Sequence, residues 1–65
     1  LVETADHIYA FEFKLDKPAS EAMQQIRDRG YLAPFDDSPK AKIAVGISFS
    51  SEAKAIVEWE IEEKD

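Results

Sequence analysis

Glu12, Phe13 and Lys14 are the residues of this chain whose types and spacing suit a chemical task. In extended backbone, successive side chains point to opposite faces, so an acid and a lysine two residues apart share one face, roughly 7 Å apart along the strand. Such a pair can address one phosphate. The carboxylate is a hard oxygen ligand suited to Mg²⁺ or Mn²⁺, and the Phe13 carbonyl offers a second oxygen. The lysine can orient a water or offset charge building on phosphorus. On spacing alone, the same residues also describe an exposed i,i+2 charged pair on a half-buried strand.

Composition removes several competing chemistries. The chain has no cysteine, which excludes a disulfide framework and a thiolate metal site, and its one histidine, His7, cannot by itself build a zinc centre or a Ser-His-Asp triad. His7 reads as a turn or surface residue. Asp36-Asp37 lacks the spaced oxygen ligands and terminal Glu of a calcium loop. The net charge of −6 opposes a protein that wraps nucleic acid, but its distribution is uneven. Residues 52–65 carry six acids against two lysines, whereas residues 14–42 carry six bases against five acids. Arg27, Arg29, Lys40 and Lys42 can be read as a phosphate-facing patch or as ordinary solvated charges.

At 65 residues, the chain is one small domain near the size where a single core is marginally stabilising. A short strand over residues 1–4 and a tight turn at Ala5-Asp6 precede the strongest strand signal, His7 to Leu15. There Tyr9, Phe11, Phe13 and Leu15 alternate with Ile8, Ala10, Glu12 and Lys14, and the aromatic stripe is the expected core face. Pro18 opens a helix whose stripe is Ala19, Ala22, Met23, Ile26 and Gly30, with Gly30 as its stop. An irregular turn over residues 31–35 leads to a loop at residues 36–39. Lys42 to Phe49 forms the next strand, with Ile43, Val45, Ile47 and Phe49 on one face and small residues on the other. The last strand runs from Ile56 to Glu62, with Val57, Trp59 and Ile61 expected inward and Trp59 in the core. The predicted order is ββαββ, an α+β fold with a mixed sheet. Its crossover helix makes the two long strands parallel.

Taken together, the segments resemble a known family. Leu1-Val2-Glu3-Thr4 followed by Ile8-Tyr9-Ala10-Phe11-Glu12-Phe13-Lys14-Leu15-Asp16 is similar to the hairpin of the PD-(D/E)XK nuclease superfamily. The runs 22–31 and 45–52, with Glu58-Trp59, look like the nuclease-like domain found C-terminal to AAA-ATPase-like domains in bacterial proteins. The resemblance implies a partial restriction-endonuclease-like core, with Glu12 as metal ligand and Lys14 as catalytic lysine, beside which the Phe13 carbonyl read from the strand is a further metal ligand. Gln25 is similar to the glutamine that related nucleases place beside the site. Read from the helix alone, it is an ordinary exposed glutamine, and Tyr31 is a core-edge aromatic.

In the family that the chain resembles, the superfamily's first acid, an aspartate on the preceding strand, falls immediately before the segment matching Leu1-Val2. A three-residue turn pairing Thr4 with Ile8 would set that position opposite Glu12, and Glu3 lies roughly 10 Å from it. Residues 1–65 are therefore expected to be a fragment of a larger nuclease-like domain, weak in Mg²⁺ or Mn²⁺ binding and weak or inactive alone. An exposed sheet edge would invite oligomers of the chain. The implied activity is metal-dependent phosphodiester hydrolysis, on DNA in preference to RNA, with an ATPase-like domain in the parent chain. The alternative is a non-catalytic protein-interaction module on the same scaffold. No apolar run is long enough to span a membrane, and a cytoplasmic location follows by default from the absence of a leader.

Overall fold

A computed structural model describes residues 1–64. The elements are β1 (Val2–Glu3), β2 (His7–Leu15), α1 (Ala19–Arg29), a 3₁₀ turn (Ala33–Phe35), β3 (Ala41–Ser50) and β4 (Ala55–Lys64). They form the predicted ββαββ order in one mixed sheet, β1-β2-β3-β4, with β2 and β3 parallel and both outer pairs antiparallel. No helix among the described residues is long and apolar enough to cross a membrane.

Helix α1 begins after Pro18, whose extended backbone and missing N–H suit the boundary. The helix N-terminus is closed from a distance: the Ala19 N–H donates to the Glu58 carboxylate of β4 at 2.6 Å. An acid there also meets the positive end of the helix dipole. The helix stops at Gly30, left-handed at φ 60°, whose N–H caps the last turn.

The helix lies on the small-residue face of the sheet, so the core forms there and not on the aromatic stripe expected to hold it. It covers Ile8, Ala10, Lys42, Ala44, Gly46 and Ser48, and packs Ala19, Ala22, Met23 and Ile26 against them, with Leu32 closing the core. Small side chains decide the face, because they let a helix backbone approach the strands closely. A Cβ on Gly46 would lie 2.9 Å from the Ala19 carbonyl oxygen and 3.1 Å from the Ala22 Cβ. The bulky stripe therefore faces outward: Phe13 is 62% exposed, and Trp59, expected in the core, is 64% exposed.

The expected inward stripe Val57-Trp59-Ile61 is corrected twice. It faces solvent, and a register shift places Ile56 rather than Val57 opposite Phe49. Val57 is the extra residue of a bulge. Ile56, Trp59 and Ile61 thus share the open apolar face with Val45, Ile47 and Phe49.

Candidate functional site

Strand β2 delivers Glu12 and Lys14 to the helix-bearing face, beyond the last apolar residue that the helix covers there. Their β3 neighbours are Gly46 and Ser48, so nothing large crowds them from that side. Helix α1 supplies the third member. Gln25 sits on the flank of the helix, one position before buried Ile26, and leans over the two β2 side chains. Its amide nitrogen donates to Glu12 Oε1 at 2.9 Å, while its amide oxygen accepts from Lys14 Nζ. The Tyr31 hydroxyl, just past the helix, approaches Glu12 Oε2 at 3.4 Å, and Tyr31 is half-buried at the core edge.

One neutral side chain thus holds an anion and a cation together without letting them pair. Among the described residues the ion pairs are Arg27–Glu62 and Lys40–Glu3, so Glu12 and Lys14 meet through Gln25 and do not join directly. A direct pair would neutralise both groups. The amide bridge fixes their positions and leaves each charge able to attract a ligand. Glu12 opens on a hollow of about 250 Å³ bordered by Leu1 and Tyr31. Lys14 opens on a neighbouring groove of about 300 Å³ along the helix flank.

The phenyl group of Phe13 belongs to the opposite, exposed face, but its backbone has a different orientation. The His7 carbonyl accepts from Thr4 on the β1 side, and the Asp16 N–H donates to Phe49 on the β3 side, both at 2.8 Å. The β2–β3 register is unbroken from His7 to Leu15, so odd-numbered carbonyls of β2 turn toward β1. β1 reaches only as far as Tyr9. The Phe13 carbonyl therefore faces the β1 side of β2, beyond the described β1–β2 pairing.

The turn between β1 and β2 differs from expectation. Glu3 pairs with Ile8 and Val2 with Tyr9, leaving two turn residues, Ala5 and Asp6, between Thr4 and His7. This shifts the register by one from the expected Thr4–Ile8 pairing, so a residue directly opposite Glu12 would lie two positions before Leu1. The short turn holds because the Thr4 hydroxyl accepts from the His7 N–H at 3.0 Å. Glu3 turns away to pair with Lys40 at 2.5 Å.

The four-residue basic patch does not assemble. Arg27 pairs with Glu62 at 3.2 Å, Lys40 with Glu3, and buried Lys42 donates to the Ser38 and Lys40 carbonyls at 2.9 and 3.2 Å. Arg29 alone of the four borders the Lys14 groove, where it is joined by Lys17. Sequence reasoning passed over Lys17, and also the Tyr31 hydroxyl, because the contacts that matter cross between elements. His7 is half-exposed at the start of β2 and stacks on Tyr9 with ring centroids 5.7 Å apart. Among the described residues no group of three or more His, Cys, Asp or Glu side chains is placed to hold a metal ion. The oxygens gathered here are the Glu12 carboxylate and the Phe13 carbonyl.

Over 58 residues the chain is 33% identical to an "Uncharacterized protein in vnfD 5'region" of Azotobacter chroococcum mcd 1, a match that takes in 86% of this chain and 11% of that protein. The chain thus corresponds to a small part of its relative's length. No solved structure gives a significant match. Residues 1–59, a span that contains the whole β2–α1–β3 unit and the first half of β4, match the family model of the PD-(D/E)XK nuclease superfamily, and the chain belongs to that superfamily.

Proposed function

We propose that the chain carries the acid–lysine half of a metal-dependent phosphodiesterase site, acting on nucleic acid and on DNA in preference to RNA. The observation that carries this reading is the Gln25 bridge, which sets Glu12 and Lys14 side by side with both charges available. Superfamily membership supplies the reaction class. Nucleic acid as partner and the cytoplasm as compartment belong to the same proposal.

The donor set fits Mg²⁺ or Mn²⁺ in chemistry: one carboxylate and one backbone carbonyl, both hard oxygens. Mg²⁺ commonly takes one or two protein carboxylates and completes its shell with water and substrate phosphate, so two protein oxygens make a weak site. When bound, the ion would supply Lewis-acid neutralisation of phosphate charge. The Lys14 ammonium would contact a non-bridging phosphate oxygen and offset the charge that develops there. Gln25 would hold Lys14 in line and keep Glu12 turned toward the hollow. The Tyr31 hydroxyl would steady the second carboxylate oxygen.

The metal arm of the test uses the 65-residue chain. On adding Mn²⁺, paramagnetic broadening should begin at the Glu12, Phe13 and Lys14 amides, and Glu12→Gln should abolish that focus. The cleavage arm uses a longer chain that adds the upstream strand, in which cleavage of supercoiled DNA should fall by about 100-fold or more in both Glu12→Gln and Lys14→Ala, the scale set by losing one charge-stabilising group. Broadening spread evenly over the acidic β4 strand, or cleavage unchanged in both variants, would overturn the assignment.

The open apolar face favours a second reading, a protein-interaction module on this scaffold. Phe11, Phe13, Leu15, Phe49, Ile56, Trp59 and Ile61 are all more than a third exposed on one side of the sheet. Contiguous apolar surface of this kind marks protein contact in soluble proteins. Unfocused broadening together with no cleavage would put this reading first.

A further inference from the structure

We infer that the groove along the β2 side of helix α1 holds the backbone phosphate adjacent to the one addressed by Lys14, with Lys17 and Arg29 as its cationic contacts. This deepens the nuclease reading and rests on it for the identity of the polyanion. The groove, about 300 Å³, runs past Lys14 and Gln25 and carries Lys17 and Arg29 on its walls. Both are exposed, and neither forms an ion pair among the described residues. They contrast with Arg27 and Lys40, which are neutralised by acids, and with Lys42, whose ammonium is taken up by two carbonyls.

The spacing explains why the cations work together. Gln25 and Arg29 are four residues apart on α1, which puts them on one face about 6 Å apart along the axis. Lys17 lies just past the end of β2, three residues beyond Lys14. Lys14 and Gln25 are therefore the centre of a line with a free cation toward each end. A strand of phosphodiesters presents anions at a repeating interval and fits such a line, whereas an isolated carboxylate ligand would use one position only.

Two acids, Glu21 and Asp28, also border the groove. Asp28 Oδ1 is already engaged by the Gln24 amide at 2.7 Å. Three cations against two carboxylates leave the groove positive in a chain whose net charge is −6. A polyanion repelled by the molecule as a whole would be admitted there. Lys17 and Arg29 are binding residues in this scheme, with no part in bond breaking.

The experiment measures anisotropy of a short fluorescein-labelled oligothymidylate with EDTA present, so that binding is read without metal or cleavage. Lys17→Ala and Arg29→Ala should each weaken binding several-fold. Each should also flatten the dependence of log K on log salt by about 0.7, the value for one single-strand phosphate contact. Lys54→Ala, on the β3–β4 turn, changes the net charge equally and should leave both quantities at their wild-type values. The inference is overturned if Lys54→Ala matches the groove variants or if wild type does not bind the probe. Mn²⁺ broadening at Glu12, followed in parallel, keeps the two readings separable: its loss in wild type strikes the metal site, while the anisotropy series alone decides the groove.

Discussion

The close seating of α1 on Gly46 offers a sharp test of how helix and sheet hold the site. Gly46→Ala adds one methyl group beneath α1. That carbon would lie 2.9 Å from the Ala19 carbonyl oxygen, 3.0 Å from Met23 Cγ and 3.1 Å from Ala22 Cβ. Ordinary carbon contacts sit at about 3.5 Å or more. Met23 can swing its thioether aside, but the Ala19 carbonyl and the Ala22 methyl move only with the helix. The helix must lift by about half an ångström, at the 1–3 kcal/mol that overpacking typically costs. Replacing glycine restricts the unfolded chain and returns roughly 0.4–1 kcal/mol, so the net loss is about 1–2 kcal/mol. A chain of this length has a total stability of roughly 3–10 kcal/mol.

Urea unfolding followed by far-UV circular dichroism reads this loss directly. With a slope of about 1 kcal/mol per molar, the midpoint should fall by about 1–2 M. The lifted helix also carries Gln25, so the side-chain amide resonances of Gln25 should shift as its contacts with Glu12 and Lys14 loosen. A midpoint equal to or above wild type would refute the claim that α1 is seated on Gly46. Unchanged Gln25 resonances in a destabilised variant would refute the coupling of that seat to the site.

Asp16, left-handed at φ 58°, accepts from the Ser51 hydroxyl at 2.5 Å and from the Ser51 N–H at 2.9 Å, and these bonds, the hydroxyl's first, hold its carboxyl below its ordinary value. Because the folded-state pKa is the lower one, its stabilisation is present above the unfolded value and disappears as pH falls through the folded value. Thermal midpoints measured over the acid limb should show wild type more stable than Asp16→Asn near neutrality and the gap closing with acidification; a gap that is constant with pH would contradict the carboxylate's role. Trp59→Ala should lower unfolding free energy by less than about 1 kcal/mol, far below the 3–5 kcal/mol typical of a core aromatic, and should reduce binding of the dye ANS. A core-sized loss in urea unfolding would contradict its outward placement.

Much of the fold was legible because local signals determined it. Alternation marked β2 with its observed bounds and β3 and β4 to within two residues at each end. Pro18 and Gly30 bracketed the helix, and the crossover length required parallel β2 and β3. Alternation defines two faces of a sheet without saying which one a helix will cover. Hydrophobic size pointed to the aromatic stripe, whereas Ala10, Ala44, Gly46 and Ser48, matched by Ala19 and Ala22, permitted the close approach that the structure adopts. The bulge at Val57 carries no glycine to announce it. At the site, strand geometry placed Glu12 and Lys14 on one face, but the Gln25 bridge depends on how far the helix flank overhangs β2. The same limit hid Lys17, the Tyr31 hydroxyl and the Glu58 cap, each of which acts on a residue of another element.

The outward-facing aromatic stripe has a thermodynamic consequence. The buried core is built from Ile8, Met23, Ile26 and Leu32 with small residues around them, while the larger apolar groups are already wet in the native state. Unfolding therefore adds less newly hydrated hydrocarbon than the composition alone would give. The heat-capacity increment falls with it, and the stability curve flattens across temperature. Any partner that dries this surface would steepen the curve, so the temperature response of the chain reports how much of the sheet is covered.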